Sequence, residues 1–247
     1  MVVEPARTAP EFTDEELQRI NDSFLESSPQ EVLRWALEGF HPNIALASSF
    51  GAEDAALIDM MVKINPRARV FTLDTGRLHQ ETYDIMDLVR ARYGIDLEVF
   101  YPNTEAVESM VRQHGLNLFY RDVELRKMCC GVRKVEPLGR ALRGLDAWIT
   151  GLRRDQAATR GEVPKVDRDT ANGGLLKINP LADWTWEQVW AYMRENEVPY
   201  NLLHDRGFPS IGCEPCTRAV EPGEDPRAGR WWWEQEEGKK ECGLHQR

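Results

Sequence analysis

Between residues 41 and 150, short apolar runs alternate with longer stretches of helical periodicity. The first run is Ile44-Ala45-Leu46-Ala47. A polar turn, SSFGAED (48–54), follows it and leads into an apolar-periodic stretch over 55–64. Val70-Phe71-Thr72-Leu73 repeats the pattern, passing through Asp74-Thr75-Gly76 into a helix predicted over roughly 79–93. Residues 96–101 predict a third strand, with Asn103 capping the next helix, and 147–150 predict a fourth. Residues 175–178 form a fifth apolar run, in a different setting. Strands alternating with helices specify an α/β fold with a mostly parallel twisted sheet and flanking helices. Ligands of such sheets sit outside the carboxyl ends of the strands, where the turns 48–54, 74–76 and 151–160 fall.

Helix signals also flank this core. Thr13-Asp14-Glu15-Glu16 and Ser28-Pro29-Gln30-Glu31 are capping boxes, the second with Pro at the first helical position and Gly39 as a stop. Thr185-Trp186-Glu187-Gln188 opens another helix, which ends before Pro199. Beyond it the chain turns rich in glycine and proline, without long periodicity. Three segments are therefore expected: an acidic helical segment over 1–40, an α/β domain over 41–200, and an irregular tail over 201–247.

Composition narrows the classes. Of 247 residues, 41 are Asp or Glu and 31 Lys or Arg, a net charge of −10. That balance argues against nucleic-acid binding. A mean hydropathy of −0.52, with no long apolar run, argues against a membrane span. The amino terminus shows no secretory pattern, so a cytoplasmic protein is expected. The charge is uneven, however. Residues 121–143 hold seven bases and three acids, against nine acids and three bases in residues 1–40. A basic centre in an acidic chain suggests a local anion site, although most such bases belong to solvated helix faces.

Five cysteines without a secretory signal point to metal or catalysis rather than disulfides. Cys213-x-x-Cys216 alone reads as a zinc site, an iron–sulfur site or a redox dithiol. The adjacent pair Cys129-Cys130 is unusual for zinc, and its alternative is two inert core thiols. Lys127, Arg133 and Lys134 weigh against inertness, since cations stabilise thiolates. Cys242 stands apart, with Lys239, Lys240 and His245 beside it to lower its pKa, though a dispensable surface cysteine would look the same locally. SSFGAED lacks the Lys and Gly spacing of a Walker loop. Gly151-Leu152-Arg153-Arg154 with Arg160 is either a solvated loop or an anion-recognising one. Within Trp231-Trp232-Trp233 at least two side chains are expected in the core, and Trp184, Trp186 and Trp190 are expected to anchor their helix. His79, His114 and His204 read as structural.

Six collinear motifs then converge: SSFGAED (48–54), LDTGRLHQET (73–82), KMCCGVRKVEPL (127–138), GLRRDQAATR (151–160), GCEPCTR (212–218) and ECGLH (241–245). Over residues 41–247 the chain resembles the assimilatory sulfonucleotide reductases, specifically their iron–sulfur adenylyl-sulfate (adenosine 5′-phosphosulfate, APS) branch. The resemblance implies an adenine-nucleotide α-hydrolase-like fold with a modified PP-loop. It implies a [4Fe–4S] cluster on Cys129, Cys130, Cys213 and Cys216, and Cys242 as nucleophile. Lys134 and His245 would act with it. Ser48, Ser49, Gly51, Asp54, Leu73 and Gly76 would shape the nucleotide pocket, and Arg160, Arg227 and Arg230 would meet the phosphosulfate.

The implied reaction is reduction of APS to sulfite and AMP through a cysteine S-thiosulfonate, with thioredoxin or a glutaredoxin-like protein as reductant. Its place would be sulfate assimilation toward cysteine. The 3′-phosphorylated nucleotide is the rival substrate, typical of relatives lacking the four cysteines. A zinc-stabilised, non-catalytic nucleotide-binding module is the remaining alternative. The oligomeric state, a homo-oligomer included, stays open.

Overall fold

The computed structural model describes residues 12–156 and 161–234. Its centre is a sheet of β1 (Ile44–Ser48), β2 (Arg69–Leu73), β3 (Leu97–Phe100), β4 (Ala147–Ile149), β5 (Val166–Asp169) and β6 (Leu175–Ile178). The strands lie in the order β3-β2-β1-β4-β6-β5. All neighbours are parallel except β5, which runs antiparallel on the edge against β6.

Successive side chains of a strand point to opposite faces, and β1 is buried on both. Ile44 and Leu46 join Val70, Ile149, Leu57 and Ile58 in the larger core, while Ala45 joins Phe71 and Trp148 on the other side. The larger core is covered by α1 (Asp14–Ser23), α2 (Pro29–Phe40), α3 (Ala52–Ile64) and α4 (Gln80–Tyr93). The opposite face is covered through Leu138 and Ala141 of α7 (Glu136–Ala141). Helices α5 (Thr104–His114), α6 (Val123–Cys130) and α8 (Trp186–Glu195) complete the set used below. Among the described residues no helix is long and apolar enough to cross a membrane.

Both sequence-read capping boxes form, at Thr13 and Ser28, and the helix opened by Thr185 has a third. Gly39 does not stop α2, which continues to Phe40. The fifth apolar run is not in a different setting: as β6 it pairs with β4 in the same sheet. The sequence reading missed β5, because Val-Asp-Arg-Asp carries a single apolar residue. It is held instead by backbone pairing to β6 and by Asn21 of α1, whose amide brackets Val166 with bonds of 2.7 and 3.0 Å. Lys165, almost fully buried, donates to the carbonyls of Phe24 and Ser27, tying the amino-terminal helices to the same body.

Helix α8 lies on α3 through Val189 and Met193 against Ala55 and Ala56. Beneath them Asp59 is buried and accepts hydrogen bonds from Tyr93 (3.0 Å), Tyr192 (2.5 Å) and Lys63 (2.6 Å). That carboxylate therefore joins α3, α4 and α8. After α8 the chain folds back across the carboxyl ends of the strands, with an isolated bridge between Leu78 and Cys213.

The strand order places β2 on one side of β1 and β4 on the other. Chain progression reverses there, so a crevice opens outside the carboxyl ends of β1 and β4.

Candidate functional site

The loop after β1 fills one side of this crevice. Phe50 adopts a left-handed backbone with φ 59°, a costly conformation for a bulky residue, and its ring is fully buried in the larger core. Its N–H donates to Ser48 Oγ at 3.1 Å. Gly51 is the cap residue of the 13-residue α3 and supplies no side-chain bond to its first turn. Ser49 donates twice to Asp54 Oδ2, from N at 2.6 Å and from Oγ at 2.9 Å. Burial is the main cause that pushes Asp54 up to about 7; the two Ser49 bonds oppose it and neighbouring Glu53 adds to it.

The loop after β4 forms the facing wall. Arg153, only 4% exposed, donates to Glu53 at 3.0 Å and to Asp155 at 2.9 Å, with its guanidinium 5.5 Å from the Trp186 ring centre. Gln156 bonds both Glu53 Oε1 and the Gly151 carbonyl at 3.0 Å. Glu53 thus ties the first turn of α3 to the second loop, and Arg153 is already committed to carboxylates.

Between the loops lies a cavity of about 450 Å³, a volume that suits a nucleotide. Glu53, Asp54, Asp155 and Glu187 are on its wall, and so are Lys134, Arg153, Arg227 and Arg230. Arg230 is held by Ser210 Oγ at 3.1 Å and the Ile211 carbonyl at 3.2 Å, over a glycine, Gly212, whose Cβ would collide with the guanidinium.

A second, smaller cavity of about 20 Å³ adjoins it, and Lys134 lines both. Cys129, Cys130, Cys213 and Cys216 all face this space, with Arg77, Arg126 and Arg133 around them. The pairs come from distant chain segments. Cys129 and Cys130 end α6, and a π-helical turn, Gly131–Val135, follows directly and carries Arg133 and Lys134. Such turns are frequent at functional sites. Cys213 and Cys216 come from the returning tail. Thr75 Oγ1 lies 3.3 Å from Cys213 Sγ, and Arg133 donates to the Thr75 carbonyl at 2.6 Å.

Burial and then the neighbouring thiols push Cys216 up to about 12, with Lys134 acting the other way. Burial likewise raises Cys129, which Arg133 opposes. Three buried N–H donors lack an acceptor nearby: Arg133 Nε on the cavity wall, and Trp231 Nε1 and Trp233 Nε1 in the apolar cluster that holds Cys129 and Cys216. Among the described residues no three His, Cys, Asp or Glu side chains converge on one ion position. Crowded thiols, surrounding cations and unpaired donors together fit an anionic polynuclear metal group held by four thiolates.

Ser48, Ser49, Gly51, Asp54 and Leu73 line the larger cavity, as do Lys134, Arg227 and Arg230. Gly76 is not on that wall; with φ 69° it backs onto Arg133, whose Nη1 would lie 3.4 Å from an added Cβ. Cys242, His245 and Arg160 lie outside the described residues. Lys127 is exposed and paired with Glu124 at 2.9 Å, so it takes no part in the cysteine surround. Of the three tryptophans, Trp231 is buried, Trp233 half-buried and Trp232 exposed.

Thr75, Glu53 and Gln156 were not among the expected site residues, although each lies inside one of the motifs read from the sequence. Sequence reasoning reads His204 as structural. Its Nδ1 does bond the Phe208 carbonyl at 2.8 Å, and burial lowers its pKa, yet the ring also forms part of the cavity wall.

Comparison with known proteins completes the description. Residues 43–219 match the phosphoadenosine phosphosulfate reductase domain family. The chain is 55% identical over 205 residues to an adenosine 5′-phosphosulfate reductase of Burkholderia cepacia, covering 83% of this chain and 81% of that protein. A phosphoadenylyl-sulfate (PAPS) reductase of Candida auris, solved as a phosphate complex, superposes with a TM-score of 0.74 at 34% identity, over 86% of this chain and 100% of that one. The FMN adenylyltransferase of Candida glabrata, bound to FMN and an ATP analogue, shares the fold alone. Its TM-score is 0.54 at 12% identity, covering 88% of this chain and 78% of that one.

Proposed function

Because the chain belongs to the phosphoadenosine phosphosulfate reductase family, we propose that it reduces adenosine 5′-phosphosulfate to sulfite and AMP in sulfate assimilation. The observation that carries this reading is the wall shared by the two cavities. Lys134 borders a nucleotide-sized space on one side and four cysteines on the other.

The nucleotide would lie across the crevice with its α-phosphate near the loop 48–54. The sulfo group would then point to Lys134, Arg227 and Arg230. These cations offset the repulsion between an anionic substrate and a thiolate. Cys242 Sγ attacks the sulfate sulfur; an S–S bond forms, the S–O bond to phosphate breaks, and the electron pair leaves with AMP. The product on the enzyme is a cysteine S-thiosulfonate. A dithiol protein of the thioredoxin or glutaredoxin kind then attacks Cys242 Sγ and releases sulfite. Its second thiol frees Cys242, so the dithiol supplies both electrons. His245 would serve beside Cys242, and Arg160 beside the phosphosulfate.

Cys129, Cys130, Cys213 and Cys216 would hold a [4Fe–4S] cluster. When bound, it would supply a fixed charge beside the basic end of the cavity and lock the tail against α6.

The 3′-unphosphorylated nucleotide is favoured over its 3′-phosphorylated relative by the four cysteines, which relatives that use the latter typically lack, and by the 55% identity to an adenosine 5′-phosphosulfate reductase. Anaerobic purification tests the cofactor: iron and inorganic sulfide at four each per chain support it, and a colourless zinc protein refutes it. Turnover of the two nucleotides with thioredoxin tests the substrate.

A further inference from the structure

Arg126 is 1% exposed, and a guanidinium is buried that deeply only when its fork is fully engaged. Two bonds go to Glu234, from Nε at 2.8 Å and from Nη2 at 3.0 Å, and Glu234 is itself 6% exposed. Another goes to Cys130. The guanidinium also lies 4.6 Å from the Trp231 ring centre, and Arg230 lies 4.9 Å from the same ring.

Trp231 has a left-handed backbone, φ 46°, which persists only when its surroundings over-determine it. Its N–H is bonded to the Cys216 carbonyl at 3.1 Å. One continuous set of contacts therefore runs from Cys130 through Arg126 and Trp231 to Arg230 on the wall of the nucleotide cavity. Glu234, the last described residue, is fixed by the same fork. Cys242 follows eight residues later, within about 29 Å of that point for a fully extended chain.

We propose that Arg126 and Glu234 form a clamp that sets the root of the carboxyl-terminal arm, so that the cysteine site and the reach of Cys242 are fixed by one side chain. Arg126 is a positioning residue: it touches neither substrate nor the attacked sulfur. A fixed root confines Cys242 to a smaller volume and so raises its effective concentration at the substrate. The inference rests on the reading of Cys242 as nucleophile.

The test uses the full chain, purified anaerobically, as wild type, E234Q, E234D and R126K. Three quantities are read: chymotryptic cleavage at Trp231–Trp233, the rate of adduct formation on Cys242 with APS, and AMP affinity. In E234Q the cleavage rate should rise about tenfold, because proteolysis follows the population of the opened root. Adduct formation should fall about tenfold while AMP affinity and iron content stay at wild-type levels. E234D should recover part of both. R126K keeps a charge but loses the fork, and should shift the visible absorption as well, because Cys130 loses its donor.

Wild-type cleavage and adduct rates in E234Q would overturn the clamp. So would a fall in adduct formation in E234Q that is fully accounted for by loss of iron, since the pair would then act on Cys242 only through the cysteine site. If wild type forms no adduct on Cys242, the proposed function fails instead, and the cleavage comparison still decides whether the root is clamped.

Discussion

Gly151 leaves no room for a side chain beside Asp54: a Cβ at Gly151 would lie 2.5 Å from Asp54 Oδ1. The contact joins the two loops that bound the nucleotide cavity. Asp54 cannot swing away freely, since Ser49 holds its other oxygen through two hydrogen bonds. Replacing Gly151 by Ala should therefore part the loops instead of rotating the carboxyl. We expect a stability loss of about 1–3 kcal/mol from overpacking. AMP affinity should fall at least about tenfold, because 1.4 kcal/mol of misfit already costs that much. Calorimetric titration with AMP and a thermal melt measure both.

Asp54 also gives a pH dependence. Its usual value of 3.8 rises to about 7 in the folded chain. The folded protein therefore holds a proton that the unfolded chain has released between those two values. Its contribution to stability is full below about 3.8, falls as pH rises to about 7, and is constant above. Ligand binding follows the same sign, since an anion in the cavity tolerates a neutral Asp54 better than a carboxylate. APS affinity of a Cys242→Ser variant should weaken as pH rises from 6 to 8, because ionisation of Asp54 adds like charge beside the bound anion. The phosphosulfate keeps its charge over this window, so the slope belongs to the protein. Asp54→Asn should flatten it.

Neighbouring lysines should separate sharply. Lys134 lines both cavities, whereas Lys127 is exposed in a pair with Glu124. Lys134→Ala should lower kcat/KM by about 10²- to 10³-fold, the range for removing a charge that meets developing anion. Lys127→Ala should change it by less than about twofold, because exposed pairs contribute little. Steady-state kinetics of the two variants side by side is the check.

Asp59 predicts the opposite profile, stability without activity. Burial first, and the Asp59 contact second, holds Tyr192 well above the usual phenol range; at Tyr93 the same two causes act. Asp59→Asn should remove the charge that three donors share and cost about 3 kcal/mol. Denaturant titration should show that loss, with kcat/KM unchanged below the transition.

Much of the site was legible because its chemistry sits in contiguous motifs at strand ends. SSFGAED directly follows an apolar run, and the topology then places it at the reversal of strand order. The cysteines were legible as residue types, but their meeting was not. Thr75 and Cys213 are 138 positions apart, and nothing local to either marks the 3.3 Å contact. The basic segment 121–143 looked uniform in sequence. Burial of Arg126, exposure of Lys127 and the π-helical turn after Cys130 give its members three different surroundings. Arg153 had the look of an anion fork, yet Glu53 and Asp155 occupy it. Strand β5 escaped detection because its stability comes from its partners and not from its own apolar pattern.

The central claim concerns one sulfur atom, Cys242 Sγ. Intact-chain mass spectrometry after mixing the iron-loaded protein with APS, in the absence of any reductant, tests it most directly. The account predicts that one SO₃ unit is added per chain, located on Cys242, with one equivalent of AMP released, and that thioredoxin discharges it as sulfite. Cys242→Ser should retain its iron and gain no mass. An adduct on the Cys242→Ser chain, or sulfite release from the wild type with no adduct ever formed, would contradict it.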